Sequence, residues 1–220
     1  MKGLLYKEVA SLMGLYKKNL VLVAVIYGAL SVVTRNNFFL FFGIWMMGFY
    51  SLSSFSLDDA SGWGRYARTL PISDKQIVGA KFLAALIFMA LALVYALVIG
   101  AVCWAMDSAS FAWADFLAGV LLVTAVALLS VGLMFYFAVK FGPEKSGNYF
   151  MVVALAVFAV LFLAGQVGLL EAPSEGDLAA VLTWMESHMV LVPLAAIALA
   201  GLVFFLCYLA SCAVYRRKEF

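Results

Sequence analysis

Residues 58–71 read Asp58-Asp59-Ala60-Ser61-Gly62-Trp63-Gly64-Arg65-Tyr66-Ala67-Arg68-Thr69-Leu70-Pro71, a short polar stretch between two long apolar ones. Asp58 or Asp59 can cap the N-terminus of a helix, and Pro71 ends one because proline lacks a backbone donor. The larger apolar side chains recur at the spacing of one helix face: Trp63, Tyr66, Ala67 and Leu70. We therefore predict a brief helix at 58–71. It is too short to be stable in water alone, so it must pack against its own membrane domain or another chain.

The composition indicates an integral membrane protein. Of the 220 residues, 67% are apolar and 12% are charged, whereas soluble domains hold roughly 45–50% apolar and about 25% charged residues. A soluble chain of this length could not bury so much apolar surface in one core. The three cysteines lie in apolar runs without metal-ligand spacing, and the single histidine, His188, has no ligand partners nearby. We expect no metal site and no nucleic-acid partner.

Six apolar segments are long enough to cross a bilayer, which takes about 20 residues each. They cover approximately residues 19–35, 37–57, 75–105, 114–140, 146–170 and 190–213. All the Lys and Arg residues except Arg35 fall on the side that holds both termini and the 58–75 and 140–146 loops. The positive-inside rule then places the N- and C-termini in the cytoplasm. We predict an all-α, single-domain protein of six transmembrane helices in the cytoplasmic membrane of a bacterium.

The first eighteen residues predict an amphipathic helix in the headgroup plane rather than a cleavable signal. Polar and small residues (Lys7, Ser11, Gly14, Lys18) recur on one side, and apolar ones (Leu5, Val9, Leu12, Tyr16) on the other. The basic side chains of this helix would face anionic lipid or a partner protein: Lys2, Lys7, Lys17 and Lys18. An interfacial anchor alone and a partner-contacting helix both fit this pattern.

The third span has a well-defined start. Ser73 followed by Gln76 fits a capping box, and Ile72 with Ile77 fits the hydrophobic staple across it. A push on Trp63 would therefore reach this helix through one proline turn. Farther on, the polar and acidic segment 171–189 predicts an external loop with a short amphipathic helix.

The chain shows no motif for chemistry of its own. It has no phosphate-binding G-x-x-x-x-G-K-[ST] loop, no G-x-S-x-G and no H-E-x-x-H. The span interiors lack ionisable residues, and Lys81, which comes closest, can snorkel to the interface. We therefore expect no enzymatic activity and no proton- or sodium-driven transport. The energy would have to come from another polypeptide.

The run 58–73 resembles the acidic–Ser-Gly-Trp…Leu-Pro-Ile-Ser stretch of small ABC type-2 exporter permeases. The opening Met1-Lys2-Gly3-Leu4-Leu5-Tyr6-Lys7-Glu8 is also similar to their start. The subgroup includes the permease of the phenol-soluble modulin exporter and lantibiotic or bacteriocin transport permeases. The resemblance implies six spans, with residues 1–18 as a connecting helix and 58–71 as a cytoplasmic coupling helix between spans 2 and 3.

The same resemblance implies partners. Two permeases pair as a homodimer, and two separate ATPase subunits dock beneath them and bind the ATP and Mg that this chain does not. Trp63 and Tyr66 would fill a cleft in the ATPase, as aromatic side chains do at binding hot spots. The alternative is that these two residues lie in the headgroup belt. The residues expected to contact the ATPase are Asp58, Asp59, Trp63, Arg65, Tyr66, Arg68 and Leu70.

The implied cargo is an amphipathic or hydrophobic peptide, such as a toxin or an antimicrobial peptide, moved out of the cell. Aromatic residues of the second span could line its path: Phe42, Trp45, Phe49 and Tyr50. The alternative for these residues is a lipid-facing surface. The alternative for the whole protein is an immunity or regulatory protein that binds peptides in the membrane without transporting them.

Overall fold

The computed structural model describes residues 2–67, 69–106, 108, 111–166, 183 and 188–217, without the side chains of 160–162 and 164–166. Eight helices fall within these ranges. They are α1 (Lys2–Thr34), α2 (Asn37–Tyr50), α3 (Ser53–Ser61), α4 (Trp63–Ala67), α5 (Asp74–Met106), α6 (Trp113–Phe141), α7 (Pro143–Gln166) and α8 (Leu191–Arg216).

The prediction of an all-helical membrane protein is confirmed, since five stretches of the described chain are long and apolar enough to cross a bilayer. These are Lys2–Thr34, Asn37–Ser61, Asp74–Met106, Trp113–Phe141 and Leu191–Arg216. The fifth predicted span, 146–170, begins within α7 and ends beyond the described residues, so the count of six remains a prediction. The predicted external segment 171–189 lies almost wholly outside the described residues.

Two predicted boundaries differ from the observed ones. Helix α1 runs without a break from Lys2 to Thr34, so residues 2–18 and the predicted first span belong to one helix. At its far end, Arg35 adopts a positive φ of 52°, and the side chain of Asn36 caps α2 by accepting the N–H of Phe38 at 2.9 Å. The chain therefore turns sharply here, which lays α2 back against α1.

The prediction that Asp58 or Asp59 caps a helix at 58–71 is wrong. Both residues lie in the last turn of α3, which continues α2 after a turn at Ser51. Gly62 ends α3 in the left-handed conformation (φ 67°), and its N–H bonds back to the carbonyls of the two aspartates. Glycine accepts this conformation without steric cost, which makes it a common helix terminator. The predicted single helix is thus divided at Gly62, with α4 following.

The predicted start of the third span is confirmed. Helix α5 begins at Asp74, and the N–H of Ser73 donates to Oε1 of Gln76 at 3.1 Å, as a capping box requires. The carbonyl of Ser73 accepts the N–H groups of Gln76 and Ile77. The polar 58–71 segment is therefore joined to a long helix whose first turn is fixed.

The helices pack around two apolar clusters. One joins α5, α6 and α8 and centres on Phe82, whose ring lies 5.0–5.5 Å from those of Phe135, Phe204 and Tyr208. The other joins α2, α5 and α6 and includes Ile44 and Phe116. The first cluster supports the end of the bundle that carries the 58–71 segment, the start of α5 and the ends of α6 and α8. We call this end the basic end.

Gly100 allows α5 and α6 to approach closely at the opposite end. A Cβ atom at this position would lie 2.5 Å from Cε1 of Phe116, a fully buried ring. No real Cβ contact is that short, so any larger residue must displace the ring. Gly201, in α8, would place its Cβ in open space instead.

We therefore predict that Gly100→Ala lowers the free energy of unfolding by about 1–3 kcal/mol, the usual cost of overpacking a core. Gly201→Ala is the matched control and should cause no loss, because alanine also favours helix. Thermal unfolding of the two variants in detergent measures the difference. Equal midpoints for both would contradict the packing described here.

Candidate functional site

Four ionisable side chains meet at the basic end, and we call them the charge square: Lys7, Glu8, Asp58 and Lys81. Lys7 and Glu8 come from α1, Asp58 from the last turn of α3, and Lys81 from the second turn of α5. Nζ of Lys81 lies 2.5 Å from Oδ2 of Asp58 and 3.3 Å from Oε1 of Glu8. Nζ of Lys7 lies 3.1 Å from Oε1 of Glu8 and also contacts Oδ1 of Asp58. Each lysine thus contacts both carboxylates.

The square carries no formal net charge, and two of its four side chains, those of Glu8 and Lys81, are buried, whereas Lys7 and Asp58 are partly exposed. Glu8 and Lys81 are only 2% and 5% exposed. Lys81 also donates to Oγ of Ser54 at 2.8 Å and to its carbonyl at 3.3 Å, and its Nζ lies 4.7 Å from the ring centre of Phe55. Buried charges must be paired and hydrogen-bonded to be tolerated. The square meets that condition by drawing three helices together at one point.

The prediction that Lys81 snorkels to the interface is wrong, because its side chain is buried at the basic end of the bundle. Lys81 turns into the bundle, where two carboxylates compensate its charge. Lys7 likewise does not point away from the bundle as the helical pattern suggested. The remaining lysines of the predicted connecting helix, Lys2, Lys17 and Lys18, are exposed.

The 58–71 segment has an inner and an outer side. On the inner side, Asp58 belongs to the square and Trp63 lies under Lys7, whose Nζ is 4.5 Å from the indole centre. On the outer side, Asp59 and Arg65 are exposed, and Tyr66 is 57% exposed with its ring 5.5 Å from that of Trp63. Leu70 is half-buried, and Arg68 lies outside the described residues.

A cleft of about 480 Å³ lies between this segment and the ends of α5, α6 and α8. Its floor is apolar, with Val78, Val139 and Tyr215, and charged side chains of the segment form its rim. The indole N–H of Trp63 is buried beside it and has no hydrogen-bond acceptor among the described residues. The cleft therefore separates the segment from the ends of α6 and α8, while Asp58 joins it to α1 and α5.

The aromatic residues suggested for a cargo path pack between α1 and α2 within a single chain. The ring of Phe42 lies 5.3 Å from that of Tyr27 in α1, and Trp45 lies 4.6 Å from Phe49. Tyr50 lies 5.7 Å from Tyr16, also in α1. These side chains are half-buried, so they form an aromatic strip beside α1 rather than a purely lipid-facing surface.

Sequence reasoning missed Glu8, Ser54 and the role of Lys81. A signal was present, because Glu8 is the only carboxylate before residue 58 and Lys81 the only charge between residues 76 and 106. A single acid among the lysines of α1 and a single lysine within the apolar part of α5 are candidates for pairing. The pairing itself spans 73 residues of sequence, so no local pattern could reveal it.

Comparison with known proteins shows the family to which the chain belongs. A family model described as ABC-2 family transporter protein matches residues 3–216. The chain belongs to this family. No curated protein and no solved structure matches it. The resemblance seen in the 58–73 run is therefore confirmed for the family, while the peptide-exporter subgroup remains a prediction.

Membership makes this protein the membrane-spanning permease of an ABC transporter. It is a transport subunit, and the family implies that it works with ATPase subunits. The apolar helices agree with an integral membrane protein.

We predict that Lys81→Met lowers the free energy of unfolding by roughly 3–5 kcal/mol, because it leaves two buried carboxylates with one lysine. Lys17→Met is the control, since Lys17 is exposed on α1 and surface substitutions usually change stability by less than about 0.5 kcal/mol. Unfolding of both variants in detergent gives the comparison. If Lys81→Met were as stable as Lys17→Met, the square would not be a buried, mutually dependent network.

Proposed function

We propose that this permease exports amphipathic peptides and that ATP hydrolysis by two separate ATPase subunits drives it through the 58–71 segment. The observation that carries the proposal is the two-sided segment. Its outer side presents Asp59, Arg65 and Tyr66 to a partner, and its inner side holds Asp58 against α1 and α5. A surface that is exposed on one side and ion-paired on the other is suited to pass force inward.

The outer side has the chemistry of a protein-binding surface. An exposed tyrosine next to an arginine is the composition most enriched at binding hot spots. Asp59 and Arg65 carry opposite charges, so they can pair with complementary charges at the rim of a cleft and fix its orientation. We assign this surface to an ATPase subunit, which would bind the ATP and Mg.

The inner side sets where the force would go. Displacing Asp58 moves a carboxylate that contacts Lys7 on α1 and Lys81 on α5. Trp63 moves with it and bears on Lys7. Both spans would therefore respond to one push. The exposed Lys2, Lys17 and Lys18 would hold α1 at an anionic headgroup surface, which agrees with the basic end lying in the cytoplasm.

The pairing of two permeases and the peptide cargo are supported by α1. Of the candidate spans, α1 has the least buried apolar window, 6% against 39% for α5 and 44% for α6. It exposes Leu15, Val21, Leu22 and Val25, which a second copy of the chain could cover. The aromatic strip between α1 and α2 would then lie near the axis shared by the two copies, where an amphipathic peptide could find apolar contacts.

We predict that Tyr66→Ala raises the dissociation constant between the permease and the ATPase that co-purifies with it from membranes of its host by about 30-fold, as measured by titration of the purified ATPase. The reason is that truncating an aromatic hot spot costs about 2 kcal/mol or more of binding energy. Phe205→Ala is the matched control, because Phe205 is also aromatic and 57% exposed but lies on the apolar face of α8.

The same preparations, placed in lipid vesicles, test the cargo. An amphipathic helical peptide of about twenty residues should stimulate ATP hydrolysis by the unaltered complex and by Phe205→Ala, but not by Tyr66→Ala. A scrambled peptide of the same composition should stimulate none of them. Two outcomes would refute the proposal: no ATPase co-purifies with the unaltered permease, or Tyr66→Ala behaves like Phe205→Ala.

A further inference from the structure

The charges of the square are not shared evenly among the helices that carry them. Lys7 and Glu8 are neighbours on α1, so the α1 side of the square is neutral by itself. Asp58 on α3 and Lys81 on α5 form the other side, which is also neutral. A seam therefore runs through the square, with α1 on one side and α3 together with α5 on the other.

Two of the four ion pairs lie within a side and two cross the seam. Within the sides, Lys7 contacts Glu8 at 3.1 Å and Lys81 contacts Asp58 at 2.5 Å. Across the seam, Lys81 contacts Glu8 at 3.3 Å and Lys7 contacts Asp58. Parting along the seam would break the crossing pairs but leave every charge with a partner. Withdrawing α3 alone would strand Asp58 and leave an excess positive charge in the bundle.

Further side-chain contacts at the square join α5 to α3. Lys81 donates to the Oγ and the carbonyl of Ser54, and its ammonium lies over the ring of Phe55, so three further contacts join α5 to α3. On the α1 side, Lys7 is partly exposed and lies over the ring of Trp63, and Leu12, one turn from Glu8, is fully buried.

Helix α1 is held more tightly farther along its length. The hydroxyl of Tyr95 in α5 donates to the carbonyl of Ala24 at 2.8 Å. At Gly28, one turn on, a Cβ atom would lie 2.9 Å from that hydroxyl oxygen and 3.0 Å from Cδ1 of Ile99. The close fit at Ala24 and Gly28 gives a fixed point, and the square lies about four turns away from it along the helix.

We propose that α1 parts from α3 and α5 at the basic end during transport, swinging about its contact with Tyr95, and that the square divides into its two neutral pairs as it does so. Glu8 and Lys81 are then positioning residues, whose ion pair holds the seam closed between transport cycles. The role in transport rests on the proposed function, whereas the seam itself is a property of the permease alone.

The test uses four double variants of equal composition change, each losing one lysine and one carboxylate. Lys7→Gln with Glu8→Gln, and Asp58→Asn with Lys81→Gln, remove a pair within one side. Lys7→Gln with Asp58→Asn, and Glu8→Gln with Lys81→Gln, remove a pair that crosses the seam. The first class leaves both sides neutral, while the second leaves each side charged.

Opening is read from a thiol on the buried face of α1. Leu12 is fully buried one turn from Glu8, so Leu12→Cys reports parting of the seam through its labelling rate with a water-soluble maleimide. Cys103, Cys207 and Cys212 are replaced by alanine, and the permease is measured in lipid nanodiscs without nucleotide. Ala85→Cys is the control, because Ala85 is buried between α5 and its partners away from α1.

We expect the thiol of Leu12→Cys to be labelled at least about tenfold faster in both within-side doubles than in both seam-crossing doubles, with no such difference for Ala85→Cys. Equal rates in the two classes, or faster labelling of the seam-crossing class, would overturn the proposal. The proposal would also be overturned if the within-side doubles failed to fold while the seam-crossing doubles folded. The reason is that each neutral pair must be stable by itself for the square to divide. Since no ATPase or cargo is present, this result is independent of the co-purification experiment.

Discussion

The carboxylate of Asp58, held between the ammonium groups of Lys7 and Lys81, is the contact on which the site depends. An acid in the last turn of a helix is disfavoured by the helix dipole, and α3 places Asp58 there. The two lysines compensate it, and Glu8 in turn balances the second positive charge. Among the described residues of the 58–71 segment, Asp58 is the one that pairs with charges on α1 and α5.

Local backbone features place that carboxylate. Gly62 ends α3 in a left-handed turn, after which Trp63 lies under Lys7 and Tyr66 is exposed on the outer side. Ser73 and Gln76 then start α5 within a few residues, so Lys81 returns to the level of Asp58. The Phe82 cluster anchors this part of α5 against α6 and α8. The segment is thus short, joined to a helix at each end and ion-paired at its first residue.

The parts that local pattern determines were predictable from the sequence. Length and hydropathy indicate helices across a membrane, and Ser73 with Gln76 indicates a helix start. The two-sided character of 58–71 was partly visible in its spacing, but the aspartates were assigned to the wrong helix. Asp58 with Gly62 four residues later is compatible with the start of a new helix at Asp58 or with the end of a preceding helix at Gly62. Only the continuation of the preceding helix decides between them.

The charge square could not be predicted, because it joins residues from three helices far apart in sequence. The ammonium group of Lys81 could be stabilised either by lipid headgroups or by buried carboxylates. Nothing near Lys81 in the sequence indicates which of the two occurs. The amphipathic pattern of residues 1–18 rests on lysines, small residues and apolar residues, and it assigns no partner to Glu8. Its function follows only from the packing of α1 against α5, which depends on shape complementarity at sites such as Gly28.

The measurement that tests the account most directly is a structure of the permease bound to the ATPase that co-purifies with it. The account predicts Tyr66 and Arg65 in contact with the ATPase, and Asp58 facing inward within ion-pair distance of Nζ of Lys81. An Asp58 turned to the ATPase or to water, with Lys81 extended to the headgroups, would contradict it.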